Sequence, residues 1–535
     1  MQGLKHWKQH GFWECLYVES SDSTLAFRTK ESSVIVVKSP FLYRFLFTVL
    51  LFFQVDASEQ PNILVFLVDD MGVMDTSVAF LADEKGRPER HPLNDFYRTP
   101  NMERLARQGI RFRQFYANSV CSPSRVSLMT GQTSARHRST QFISPTANNA
   151  GEYGPKGWQW EGIVPGATTL PALLQEGGYR TIHVGKAHFG PVDSFGSLPE
   201  NFGFDVNIAG CAYGRPGSYY GKDHFGGKNG NGTRAVPGLE KYHGEEIHLT
   251  EVLTLEMNEA ISAAVEDEEP FFAYMSHYAV HSPFQSDDRF AAHYEDSDLK
   301  APAKAFATMI EGMDKSLGDI LDQLENLGVA ESTLVLFLGD NGSDAPLGDA
   351  HAISSASPLR GKKATHYEGG MRVPFIASWA KRNPESNLQK QLAIPNDKLS
   401  DQVGTVYDLF PTILSVAGIR QGSRVDGVDL SPLLRGKRSR RSPEFLMHFP
   451  HKHRSSYFTS YRLGDWKLVY HYHKIGEERY ELFNLEDDLD ESYNRASSNP
   501  KRLQLMVRSM GKALEEADAQ YVTSLEDPSQ VLRPE

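Results

Sequence analysis

Four stretches of this chain are apolar almost without a break, and each runs directly into polar residues. Asn62–Val68 is followed by Asp69 and Asp70, and Tyr179–Val184 by Gly185, Lys186, Ala187 and His188. Phe271–Ser276 is followed by His277 and, shortly after, His281; Thr333–Leu338 is followed by Gly339, Asp340, Asn341 and Gly342. A strand with one wet face alternates apolar and polar residues. An unbroken apolar run of this length suits a strand covered on both faces, as in a parallel sheet. Helical patterns lie between the runs. One starts at Thr168–Pro171 and ends at Gly177-Gly178. Another covers about Pro302 to Leu327, with Phe306, Met309, Ile310, Met313, Leu317, Ile320 and Leu324 at helical spacing. That stripe reads as core. The expected fold is therefore α/β: a large mixed, mostly parallel sheet flanked by helices. Ligands of such sheets sit beyond the carboxyl ends of the strands, which is where these runs deliver Asp, Lys, His and Asn.

The pattern changes after about residue 435. Arg435–Ser442 is basic and reads as a solvated linker. Short alternating segments follow at Phe445–Phe449, Tyr457–Tyr461, Trp466–Tyr470 and Tyr480–Asn484, with a Gly464-Asp465 turn. These predict a smaller antiparallel sheet, closed by a helix over about Pro500–Asp518. At the other end, Lys38 and Arg44 precede the apolar run Phe45–Phe53, and Val55-Asp56-Ala57 offers small residues to a signal peptidase. The run is short for a membrane span. It predicts an export signal cleaved after Ala57, with an uncleaved anchor as the alternative. The expected divisions are residues 1–57 as leader and signal peptide, 58–435 as the main α/β domain, and 443–535 as the C-terminal subdomain.

The net charge of -12 argues against tracking nucleic acid, which needs a basic footprint. A locally positive pocket remains compatible with it. Of three cysteines, Cys15 lies in the leader, leaving Cys121 and Cys211. Two cysteines in so large a domain do not make a disulfide scaffold, although a Cys121–Cys211 bridge is open.

Cys121-Ser122-Pro123-Ser124-Arg125 carries the chemistry. Pro123 suits a first helical turn, and Val126–Thr130 continues it to Gly131. Cys121 then stands at a helix N-terminus, where N–H groups and the dipole favour an anion, with Arg125 one turn on. Taken alone, Cys121 could be a nucleophile, a disulfide partner or a buried thiol. Asp69, Asp70, Asp340 and Asn341 are oxygen donors from two strand ends and suit a hard divalent cation. A helix cap for Asp69-Asp70 and a tight turn at Asn341-Gly342 are their plain structural readings. No Cys or His cluster has zinc spacing.

Cys-x-Pro-Ser-Arg followed after four residues by Thr130-Gly131 resembles the signature of the type I, formylglycine-dependent sulfatases of the alkaline phosphatase superfamily. Gly185-Lys186-Ala187-His188-Phe189-Gly190, His281-Ser282-Pro283-Phe284 and Lys363 ahead of Glu368-Gly369-Gly370-Met371-Arg372-Val373-Pro374 resemble further motifs of that family, in its order. Lys362 departs from the family, which places a small residue there; counting back from Glu368 selects Lys363. The resemblance implies a sulfuric ester hydrolase in which a dedicated maturation enzyme oxidises Cys121 to formylglycine. It implies Ca2+, with Mg2+ as the alternative, held by Asp69, Asp70, Asp340, Asn341 and the converted Cys121. In the mechanism expected from these parts, Arg125 and the metal ease ionisation of the nucleophile, and Lys186 steadies it. His281 protonates the leaving alcohol while Lys363 holds sulfate oxygens, and His188 then removes the proton from the second hydroxyl of the sulfated residue 121, so that sulfate is expelled and the aldehyde returns. Lys186, His281 and Lys363 are thus also the substrate-binding candidates. Glu368 and Arg372 are expected to pair beneath the site, while His183, His277 and His366 read as ordinary core or surface residues.

A sulfated carbohydrate is the expected substrate class. His448, His451, His453 and Arg454 could contact sugar or a second anionic group, or belong to a solvated loop. Trp158, Trp160 and Tyr213 are weaker candidates for the cleft wall. Asn231-Gly232-Thr233 is a glycosylation sequon. A phosphate or phosphonate monoester hydrolase of the same superfamily is the nearest alternative, and a non-catalytic binder of sulfated glycans the next.

Overall fold

Seven of the eight strands in the central sheet point the same way. The computed structural model describes residues 60–226, 234–422, 424–438 and 444–534, together with the backbone of three strands nearer the N-terminus. The strands are β1 (Asn62–Val68), β2 (Ile110–Tyr116), β3 (Arg180–Gly185), β4 (Val206–Ile208), β5 (Phe271–Ser276), β6 (Thr333–Gly339), β7 (Phe375–Trp379) and β8 (Lys398–Thr405). Their spatial order is β8-β2-β7-β6-β1-β5-β3-β4, with β7 alone antiparallel to its neighbours. The four apolar runs of the sequence are β6, β1, β5 and β3, four adjacent strands at the centre. All but Arg180 among their residues are buried, as covering on both faces requires.

Register brings their ends level. Gly339 pairs with Val68, Leu67 with Ser276, and Ser276 with Gly185. The polar residues that follow therefore emerge side by side on one edge. Helices α1 (Pro100–Gln108), α2 (Cys121–Thr130), α3 (Leu249–Glu266) and α4 (Ala301–Asn326) surround the sheet. The predicted Met and Phe stripe of α4 is buried. All ten residues of α2 are buried as well. Gly131 ends α2 at φ 67°, in the left-handed region, and a Cβ there would meet Phe410 and Val425 within 3 Å.

The smaller sheet is antiparallel, as expected: β9 (Glu444–Phe449), β10 (Phe458–Leu463), β11 (Trp466–His471) and β12 (Tyr480–Asn484), in that order. The helix α5 (Pro500–Glu516) covers it through Met506, Met510 and Leu514. Residues 60–535 form one compact unit, and residues 1–59 another. The second contains a three-stranded antiparallel sheet over Glu14–Glu19, Thr24–Arg28 and Val34–Lys38, where the sequence shows no clear period. The apolar run 45–53, the Ala57 cleavage point, the Asn231 sequon and part of the basic stretch 435–442 lie outside the described residues. Among the described residues no helix is long and apolar enough to cross a membrane.

Candidate active site

Asp69 and Asp70 leave β1 at the level sheet edge, and Asp70 bends the chain at φ 60°. Beside them, Asp340 and Asn341 leave β6. The backbone N–H of Asp70 donates to Asp340 Oδ1 at 3.0 Å, and Asn341 Nδ2 donates to Asp70 Oδ1 at 3.0 Å. All four side chains are fully buried. Buried carboxylates need compensating charge, and three cations provide it, with one histidine beside them. Lys186, after β3, places Nζ 2.6 Å from Asp69 Oδ2. Lys363, from the loop before β7, places Nζ 2.6 Å from Asp70 Oδ1. Arg125, on α2, donates through Nε to Asp340 Oδ2 at 2.9 Å, and through a terminal nitrogen to Ser276 Oγ at 2.6 Å and the Lys186 carbonyl at 2.9 Å. His281 Nε2 lies 3.7 Å from Asp70 Oδ2.

Cys121 opens α2, whose N-cap residue Val120 makes no side-chain capping bond. Its Sγ lies 3.4 Å from His188 Nδ1, and Ser122 Oγ lies 3.3 Å from the same nitrogen. His188 Nε2 donates to the Ile143 carbonyl at 2.7 Å, which leaves Nδ1 as an acceptor facing the thiol. His188 stands at φ 58°, and the ring packs against Gly214, where a Cβ would come within 2.4 Å of it. The structure thus gathers Asp69, Asp70, Cys121, Arg125, Lys186, His188, His281, Asp340, Asn341 and Lys363 in one site. Cys121 and Cys211 are both free thiols, so the bridge left open by the sequence does not form.

Local charge sets the protonation states. Burial pushes the Asp69 carboxyl well up, against the pull of Lys186, with Asp340 and Asp70 adding repulsion. For Asp70, burial acts the same way, but Lys363, His281 and Lys186 outweigh it and hold the carboxyl below its ordinary range. Burial, followed by Lys186, drives His188 well down, so its ring is neutral. Burial and Lys363 lower His281 to about 3, with Asp70 pulling the other way. Lys363 is raised despite burial, chiefly by Asp70.

The donor set suits a hard cation. Asp69 Oδ1 and Asn341 Oδ1 are buried oxygens without a hydrogen-bond partner. With Asp70 and Asp340 they make an all-oxygen set of the kind calcium or magnesium takes.

A cavity of about 270 Å³ opens over Cys121, His188, His281 and Lys363. Arg215, Arg234, His453 and Arg454 line it too, with Asp344 as its one carboxylate among the described residues. Arg454 pairs with Asp344 at 2.5 Å. Arg215, Arg234 and Asp344 carry no sequence signal, because they come from loops without periodicity. His448 and His451 are buried elsewhere. His448 is held by Thr459 and the Gln520 carbonyl, and His451 by Thr140 and the Ala150 carbonyl. Trp158 Nε1 is committed to Asn148, and Trp160 Nε1 to the Ser144 carbonyl; neither they nor Tyr213 line the cavity. Lys362 turns away to the Ala345 carbonyl at 2.9 Å. His277 bonds Ser316 and His183 packs among Phe189, Phe204 and Tyr274, both in the core.

Beneath the Lys363 loop, Arg372 Nε donates to Glu368 Oε2 at 2.9 Å. Lys467 lies between Glu368 at 3.0 Å and Glu491 at 2.6 Å, all fully interior.

Comparison with known proteins places this arrangement. Residues 61–419 match the sulfatase family, and residues 362–520 match the C-terminal region of N-sulphoglucosamine sulphohydrolase. The chain belongs to the sulfatase family. It is a sulfuric ester hydrolase of the alkaline phosphatase superfamily. N-acetylgalactosamine-6-sulfatase of Mus musculus is 32% identical over 71% of this chain and 68% of its own length. A sulfatase of Formosa agariphila is 27% identical over 84% and 86%. Among solved structures, Ps i-CgsB in complex with k-i-k-neocarrahexaose superposes with a TM-score of 0.66 at 24% identity, covering 85% of this sulfatase and 93% of that chain. The phosphonate monoester hydrolase of Agrobacterium radiobacter shares the fold at a TM-score of 0.58 and 16% identity, over 85% and 96%.

Proposed function

We propose that this sulfatase removes a sulfate ester from a sulfated carbohydrate, using residue 121, converted from cysteine to formylglycine by a maturation enzyme, as its nucleophile. Asp69, Asp70, Asp340, Asn341 and the converted residue 121 would hold Ca2+, with Mg2+ as the alternative. The observation that carries this reading is the convergence of Arg125, Lys186, Lys363 and two histidines on position 121, beside buried oxygens that lack partners. When bound, the cation and the modified side chain supply an oxygen nucleophile polarised at neutral pH.

The chain's own groups supply the rest. Lys363 reaches the cavity and binds sulfate oxygens as negative charge shifts on them. His188 Nδ1, neutral and facing residue 121, accepts a proton from it. Lys186 and Arg125 fix the carboxylates around it. His281 Nε2 hands a proton to the leaving alcohol; an anionic ester at the cavity raises the affinity of that ring for a proton, offsetting Lys363. Arg215 and Arg234, beside an Arg454 already paired with Asp344, favour a substrate with a second anionic group near the scissile ester; burial lowers His453 to about 4, so its ring adds no charge at neutral pH. The N-acetylgalactosamine-6-sulfatase relatives support a carbohydrate substrate. The apolar run ending near Ala57 supports export.

Mass spectrometry of the peptide containing position 121 tests the conversion: an aldehyde or its hydrate is expected, and an intact thiol in fully active enzyme contradicts it. Chelation should abolish turnover and Ca2+ restore it; full activity in metal-free enzyme contradicts the metal assignment. Aryl sulfate should be cleaved far faster than aryl phosphonate, and the reverse order would point to the phosphonate hydrolases. A panel of sulfated sugars then assigns specificity, and N-terminal sequencing of the mature protein tests cleavage after Ala57.

A further inference from the structure

Away from the sulfate cleft, three ligating side chains meet between the Lys363 loop and the C-terminal sheet. His366 lies on the loop, three residues past Lys363. His471 ends β11, and Glu481 lies on β12. Val469 pairs with Glu481 across the two strands, so His471 is the diagonal neighbour of Glu481 on the same face. His366 Nε2 stands 3.0 Å from Glu481 Oε2, and His471 Nε2 stands 3.5 Å from Glu481 Oε1. The ligating atoms of the three residues all lie within 4.8 Å of one another.

These contacts do not satisfy the groups that make them. His366 Nε2, His471 Nε2 and Glu481 Oε2 are buried and have no partner in hydrogen-bonding geometry. Both histidines are 4% exposed. Three unsatisfied polar atoms facing one another in a protein interior are costly and uncommon. A metal ion explains the arrangement. Two imidazoles and a carboxylate bonded to zinc at about 2.0–2.2 Å stand about 3.4 Å apart, close to the separations seen.

The surroundings prepare the ligands. His366 Nδ1 is 2.8 Å from Ser455 Oγ, and Ser455 Oγ is 3.0 Å from His351 Nε2. With the Nδ1 proton given to Ser455, the Nε2 lone pair of His366 is free to bind a metal, and the ring orientation is fixed. Burial lowers His366 to about 4, so the ring is neutral at neutral pH. The Glu481 side chain is 18% exposed, which leaves a route for the ion and room for a water ligand. The sequence shows no zinc spacing because the ligands are brought together by the fold, from positions 366, 471 and 481.

We infer that His366, His471 and Glu481 form a second metal site, distinct from the sulfate-binding centre, that takes a borderline transition-metal dication, with Zn2+ preferred and water in the fourth position. The ion ties the loop carrying Lys363 to the C-terminal sheet. Its set of two nitrogens and one carboxylate suits Zn2+ better than Ca2+.

The full-length protein is stripped with a chelator and returned to excess Ca2+, so that the oxygen-rich centre is filled. Zn2+ is then titrated, and bound metal is measured after desalting. One Zn2+ per chain should be retained, and the melting temperature should rise. Crystals grown with Zn2+ should show an anomalous peak at the zinc edge between the three side chains. His471→Ala and Glu481→Gln should each weaken Zn2+ binding by more than the roughly 10–100-fold that loss of an outer partner costs. Absence of the anomalous peak from wild-type crystals would overturn the assignment, whether or not the variants fold. So would retention of Zn2+ unchanged in folded variants. A proton shared between His366 and Glu481, the competing explanation, predicts no retained Zn2+ and no change in melting temperature.

Discussion

Lys362 and Lys363 are neighbours with opposite surroundings, and methionine at each position separates catalysis from stability. Lys363 Nζ lies 2.6 and 2.7 Å from the two oxygens of Asp70 and reaches the cavity beside Cys121. In the proposed mechanism its loss removes a preorganised cation that binds the sulfate oxygens, worth about 2.7–4 kcal/mol, or roughly 10²–10³-fold in kcat/KM. It also leaves the buried Asp70 with His281 at 3.7 Å and Asn341 at 3.0 Å. Breaking a buried ion pair costs about 3–5 kcal/mol of stability, so the melting temperature of Lys363→Met should fall as well. Lys362 Nζ donates to the Ala345 carbonyl at 2.9 Å and lies 3.4 Å from Asp344, which keeps Arg454. Lys362→Met should therefore cost about 1–3 kcal/mol of stability through the unsatisfied carbonyl, with kcat/KM on an aryl sulfate within about threefold of wild type, since no transition-state contact is lost. Initial rates, read beside thermal unfolding of the same preparations, give both numbers. Equal losses of kcat/KM in the two variants, or full activity in folded Lys363→Met, would refute the assignment.

Gly214→Ala should displace the His188 ring, because the added Cβ would come within 2.4 Å of it. A roughly 100-fold fall in kcat with little change in melting temperature is expected, and unchanged kcat would contradict the placement of His188. Lys467→Met leaves Glu368 and Glu491 buried together and should destabilise the fold by about 3–5 kcal/mol in denaturant titration; a change under 1 kcal/mol, order of magnitude, would show the network to be dispensable. Burial lowers His448 to about 4. The stability it contributes is therefore present above the unfolded value near 6.5 and is lost as pH falls toward 4. The cost of His448→Gln should be about 1.4 kcal/mol smaller at pH 5.5 than at pH 7.5, and a pH-independent cost would refute the buried, neutral ring.

The central strands were legible because each is apolar throughout, and only burial on both faces tolerates that. The strands β2 and β8 were not. Arg111, Arg113 and Gln114 interrupt β2, and β8 is an edge strand with the mixed sequence Lys398–Thr405. Only five residues long, β7 could not be distinguished from a loop by periodicity. In the site, the strand-end residues Asp69, Asp70, Lys186, His188, Asp340 and Asn341 could be placed from sequence, since register levels them on one edge. The rim could not. Arg215, Arg234 and Asp344 lie on loops whose paths depend on tertiary packing. The difference between His453, which lines the cavity, and His448, which is sealed under Gln520, depends on where β9 ends.

Turnover of an aryl sulfate by Cys121→Ala, co-expressed with a formylglycine-generating enzyme and checked for folding by circular dichroism, bears most directly on the chemistry at position 121. Activity at background level in a folded protein is the predicted result; hydrolysis at the wild-type rate would show that the nucleophile lies elsewhere.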